Sequence, residues 1–180
     1  TPYGEHFKAW YPARKKLALA MSEGGGGFGQ VPAGFTYFGQ FVDHDLTFDK
    51  TSVAFGANVS AADLIQGRSP ALDLDSLYGK GPASPGSAKF YKDDRHLKMG
   101  KTEAVGGISA KQGFDLPRDD KAVIPDKRND ENLAVAQTHT AMIRFHNRVV
   151  DTQLGSVPPA QKFDKAREIG NGLLADVLGQ

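Results

Sequence analysis

Gln40-Phe-Val-Asp-His-Asp45 sets an amide, an imidazole and two carboxylates within six consecutive positions. On a helix Gln40 stands one turn before His44, with Asp43 close beside them, so the three project in neighbouring directions. Asp45 is rotated about 100° from His44 and must serve a different environment. Such polar groups sit among aromatics only when something polar or metallic meets them, so the segment reads as a site. Two plainer readings stay open at this point. His44 is either a catalyst or a hydrogen-bonded core residue, and Asp-His-Asp also suits a solvated helix end. Further along, Ala71-Leu-Asp-Leu-Asp-Ser-Leu-Tyr-Gly79 alternates apolar with acidic residues, which suits either an ion-binding loop or a turn with exposed carboxylates.

The elements that must position these groups follow from hydrophobic spacing. Phe35, Phe38, Val42 and Leu46 recur at intervals of three and four, predicting a helix with that stripe toward the core. A second helix is expected from Asn129-Asp130-Glu131 to about Thr152, with a polar cap and acidic first turn at its start. Leu133, Ala136, Thr140, Ile143 and Asn147 mark one register of it; Val135, His139, Met142 and His146 mark the neighbouring one. After Pro158-Pro159, residues 160–178 are expected to be weakly helical because of Gly170 and Gly172. Residues 7–21 form a short basic amphipathic segment broken by Pro12. Gly24–Gly27 read as a flexible connector, since no strand precedes them as a phosphate loop requires. Residues 50–70 and 80–92 read as loop, and 93–127 as turns punctuated by Pro117 and Pro125. The expected class is mainly α, with long loops and little or no β.

Bulk properties narrow the function. A chain of 180 residues can bury one real core. With 22 Lys plus Arg against 21 Asp plus Glu, nothing points to nucleic acid or an anionic membrane surface. The absence of cysteine removes disulfides, thiolate metal sites and cysteine nucleophiles. No apolar run approaches the roughly 18 residues that span a bilayer. No signal peptide is visible, and a secreted or periplasmic setting is only weakly favoured.

Four segments in order resemble the animal-type haem peroxidases, of the peroxidase–cyclooxygenase superfamily, in their bacterial form. Residues 32–49 resemble the distal-histidine helix, and Ser69–Gly79 the calcium loop. Asp126-Lys-Arg-Asn-Asp-Glu-Asn-Leu133 resembles the catalytic-arginine motif, and Thr138–Val149 the helix after it. The resemblance implies the peroxidase α-helical fold and a haem b cofactor. It implies that His44 moves a proton between the two oxygens of hydrogen peroxide, that Arg128 stabilises charge on the departing oxygen, and that Gln40 holds water or a halide. Asp43 and Glu131 match carboxylates that form ester links to haem methyl groups; a plain pairing of the carboxylate with Arg128 is the other reading. Asn132 stands where the most oxidising member has a sulfonium-forming Met, so no third link is expected. Calcium is implied by Asp45, Ser69, the Ala71 carbonyl, Asp73 and Asp75. His139 and His146, seven apart on a packing helix, are assigned no catalytic role.

The resemblance spans about residues 32–168, and implies one incomplete domain. Residues 1–31 lead into it, and 169–180 depart from the family pattern. The proximal histidine lies downstream of the arginine motif in the family, and no match to its segment is found here. A second chain carrying the proximal half is the implied partner, with peroxide and a halide, thiocyanate or phenol as substrates. A fatty-acid dioxygenase of the same superfamily is the alternative, disfavoured by Asp43, Glu131 and Asp73. A non-catalytic haem- or calcium-binding fragment is the third reading.

Overall fold

The structure is a computed structural model that describes residues 12, 15–20, 29–54, 56–69, 71–102 and 113–179. The predicted Gly24–Gly27 connector therefore lies outside the described residues, as does most of the basic segment 7–21. Two units are distinguished, Thr1–Pro32 and Ala33–Gln180. In the first, residues 15–20 are helical and exposed. The second carries every residue with candidate chemistry.

That second unit is mainly helical. Helix α1 spans Gly34–Leu46, α2 is the single turn Asp75–Tyr78, α3 spans Leu133–Thr152 and α4 spans Lys162–Leu178. The only named strands among the described residues are two-residue segments, β1 (Gly100–Lys101) and β2 (Phe114–Asp115), paired antiparallel with Gly100 opposite Asp115. They lie in the stretch where the sequence showed only turns. Gly100 makes the close approach possible, because a Cβ there would stand 2.1 Å from the Leu116 carbonyl oxygen.

Helix α1 forms where expected, and Phe38, Val42 and Leu46 of the expected stripe pack against the core, while Phe35 does not. Phe41, Val42, His44 and Asp45 are buried, whereas Phe35 is 55% exposed. Phe41, one turn before the buried Asp45, widens the inward face beyond the expected stripe. Helix α3 also begins later than the sequence suggested. Lys127–Asp130 form a 3₁₀ turn, and Asn132 is the cap, accepting the Val135 N–H at 2.9 Å. Asn129 is unavailable as a cap because its side chain is engaged elsewhere. Along α3 both predicted registers contribute to the core, with Val135, Ala136, Met142 and Ile143 buried, while Leu133 stays exposed.

Helix α4 runs unbroken through both glycines. Gly170 packs closely, since a Cβ there would stand 3.2 Å from the Tyr78 hydroxyl. The main core joins α1, α2, α3 and α4 through Phe41, Leu77, Tyr78, Ile143, Phe163 and Leu174. A smaller cluster of Val149, Val150, Leu154 and Ala166 fastens α3 to α4.

Two core histidines make this unit acid-sensitive. His146 accepts the Tyr78 hydroxyl proton at Nδ1 (3.0 Å), and its Nε2–H donates to the Arg95 carbonyl (2.7 Å). Burial pushes His146 down to about 4 and His139 down to about 3, from an ordinary 6.5. Both pKa values fall on folding, so the unfolded chain binds more protons below pH 6.5 and stability drops as pH falls toward 4. The loss near pH 4 should be on the order of 3 kcal/mol per histidine. Urea melts between about pH 7.5 and about pH 4.5 read the slope, and a flat profile would contradict the burial of neutral imidazoles.

Candidate active site and metal centre

The last two turns of α1 present Gln40 and His44 on one side, and Glu131 reaches them from the loop before α3. Gln40 donates through Nε2 to a Glu131 carboxylate oxygen and accepts at Oε1 from Asn132 Nδ2 at 3.1 Å. The same Glu131 oxygen lies 3.6 Å from His44 Nε2. Glu131 is half-exposed and Gln40 partly exposed, whereas the His44 ring is buried except for a small fraction. An imidazole nitrogen, a primary amide and a carboxylate thus converge where the surface opens, a set able to bind a small polar molecule and move its proton. Asp43 stands on the exposed side of α1, near the Thr47 hydroxyl at 3.3 Å.

Behind His44 the chain fixes the ring from the core. His44 Nδ1 is 2.8 Å from Asn129 Oδ1, and Asn129 Nδ2 is 3.0 Å from Nδ1 of His139. Asn129 and His139 are both fully buried.

Arg128 is placed differently from its neighbours in the motif. Its guanidinium donates to the carbonyls of His44 (2.8 Å) and Thr47 (2.7 Å), and pairs with Asp126 at 2.7 Å. A cation at these carbonyls suits the negative end of α1. Its carboxylate partner is therefore Asp126, while Glu131 pairs with Gln40. Asp126 is also paired with Arg68, and both arginines hold its carboxyl below the usual carboxylate range despite burial. Arg68 and Arg128 stack over Phe48 at 5.6 and 4.8 Å from its ring centre.

Asp45 points away from the imidazole, as its position on the helix requires. It is fully buried and accepts the backbone N–H groups of Leu74 (2.8 Å) and Ser76 (3.1 Å) at the start of α2. Leu74 adopts a left-handed conformation (φ 56°), the one described non-glycine residue to do so, which turns both N–H groups toward the carboxylate. Burial raises the pKa of Asp45, and the nearby Asp73 adds to this. Carboxylate oxygens of Asp45, Asp73 and Asp75 lie within 4.8 Å of one another. Ser69 donates its hydroxyl to Asp73 at 2.6 Å, and the Ala71 carbonyl accepts the Asp73 N–H at 2.9 Å. Arg68 Nη1 sits 2.9 Å from Asp75 and partly balances the charge. Three carboxylates at this separation, one of them buried, could hold a metal ion, and donors that are all oxygen suit a hard divalent cation.

Among the expected site residues, the structure brings together Gln40, His44 and Glu131, and separately Asp45, Ser69, Ala71, Asp73 and Asp75. Asp43 and Arg128 stand apart from the first group. Sequence reasoning missed Asn129, Asp126 and Arg68. Asn129 gave one signal, a polar residue inside the arginine motif, but helix capping was the simpler reading. No protein-family model, curated protein or solved structure matches the chain. None of its described helices is long and apolar enough to cross a membrane.

Proposed function

We propose that this chain is the distal half of a haem peroxidase of the animal type, reducing hydrogen peroxide at the expense of a halide, thiocyanate or phenol. The observation that carries this reading is the convergence of Gln40, His44 and Glu131 beside an acidic cluster that shares Asp45 with the same helix. In this reading Gln40, His44 and Glu131 would line one side of a haem. His44 Nε2 looks into the open side, and Glu131 and Asp43 are exposed carboxylates available to a haem edge. None of the other described histidines would hold the iron. His139 and His146 are in the core, and both nitrogens of His96 are taken by Asp93 and Asp151. The proposal includes a second chain or segment that would supply a histidine for the iron.

Haem, when bound, supplies the iron at which peroxide is activated. In this reading His44 Nε2 would take a proton from one peroxide oxygen and return it to the other, while Gln40 would hold the molecule in place. The role of Arg128 as a charge stabiliser rests on the resemblance alone. Calcium at Asp45, Asp73 and Asp75 would pin the end of α1 and so the direction of His44. Titration of the chain with haem, followed by peroxide, tests the reading: a haem absorption band that changes with peroxide supports it. Failure to take up haem, alone and with a proximal segment added, would remove it.

A further inference from the structure

We infer that Asn129, backed by His139, is a positioning residue that fixes which nitrogen of His44 carries the proton. A primary amide has one accepting end and one donating end, so it cannot treat its two imidazole neighbours alike. Its Oδ1 faces His44 Nδ1 at 2.8 Å, and its Nδ2 faces His139 Nδ1 at 3.0 Å. His44, uncharged, must then carry its proton on Nδ1, leaving the Nε2 lone pair toward Gln40 and Glu131. His139 must then carry its own on Nε2, a buried nitrogen that has no hydrogen-bond partner. The two rings are complementary tautomers, set by one amide.

The surroundings hold that arrangement in place. All three side chains belong to different turns of the unit: α1, the 3₁₀ turn Lys127–Asp130 and α3. The Asn129 N–H is tied to the Asp126 carbonyl at 3.1 Å, so its backbone is anchored as well. His139 is wedged edge-on against Phe41, with ring centres 5.8 Å apart. A reversed amide would have to reverse both tautomers together, because it faces both rings at once. The wrong tautomer at the base of a proton-transfer site abolishes its acceptor even when geometry is intact.

The inference depends on the peroxidase reading only for its catalytic consequence; the tautomers are read without haem. Histidine labelled with ¹⁵N in the ring gives them directly from two-bond proton–nitrogen correlations of the haem-free chain. The expected result is Nδ1–H for His44 and Nε2–H for His139. Asn129→Leu should release His44 to the Nε2–H form that unconstrained histidine prefers. Asn129→Asp, which accepts at both ends, should leave His44 as Nδ1–H and switch His139 to Nδ1–H. With haem bound, Asn129→Leu should react with peroxide about 10- to 100-fold more slowly, and Asn129→Asp should recover most of that loss. Nε2–H on His44 in the parent chain, or the same tautomer on both rings, overturns the assignment whether or not either variant folds. Failure of haem uptake with the expected tautomers would sink the peroxidase reading and leave this one standing.

Discussion

Replacing His44 by alanine should slow the peroxide-dependent change of the haem band by about 10²- to 10⁴-fold, the range for losing a positioned acid–base group. Binding of a divalent cation at the acidic cluster should survive. The two outcomes separate because adjacent residues of α1 face different ways: the His44 imidazole looks toward Gln40 and Glu131, and the Asp45 carboxylate toward Leu74 and Ser76. Alanine also strips Asn129 of the partner at its Oδ1, and an unsatisfied buried acceptor costs about 1–3 kcal/mol. His44→Gln is the better control, since its amide can still donate but cannot carry a proton between two oxygens. Both variants should be comparably slow. A rate within about tenfold of the parent would mean that the proton moves by another route and that His44 is a core histidine after all.

Hydrophobic spacing alone located α1 and α3, and the same helical geometry separated Asp45 from His44. Spacing also gave most of the inward stripe, since Phe38, Val42 and Leu46 pack against the core. What it could not deliver was the burial of Asp45, whose carboxylate reaches two backbone N–H groups some thirty residues away. The helix expected over 160–178 forms as α4, with Gly170 lying close beneath Tyr78. The candidate site divides along the same line. Groups whose roles depend on position along one helix, Gln40, His44 and Asp45, were legible. Groups whose roles depend on long-range pairing were not. Arg128 meets α1 carbonyls and Asp126, Glu131 meets Gln40, and Asn129 joins two histidines, none of which a linear spacing encodes.

Calcium should raise the melting temperature of the chain by about 5–10 °C at a hundredfold excess over its dissociation constant, and chelation should reverse this. Three carboxylates share a space 4.8 Å across, and Asp45 among them is cut off from water. Like charges at that range repel, and burial penalises the Asp45 charge further, as its raised pKa records. Arg68 offsets Asp75 alone, at 2.9 Å, and is itself shared with Asp126. A divalent cation removes both penalties at once, so its binding free energy appears directly as stability. Asp45→Asn should abolish the calcium response and cost the metal-free chain about 1–3 kcal/mol, because the amide NH2 cannot accept the second N–H. The amide oxygen can still accept one of the two N–H groups, and the desolvated charge is gone. Calorimetric scans of parent and variant, each with calcium and with chelator, give the four values needed. An unshifted parent would show that Arg68 already suffices as the counter-charge. A variant that still responds would move the cation away from Asp45 and break the proposed link between the ion and the direction of His44.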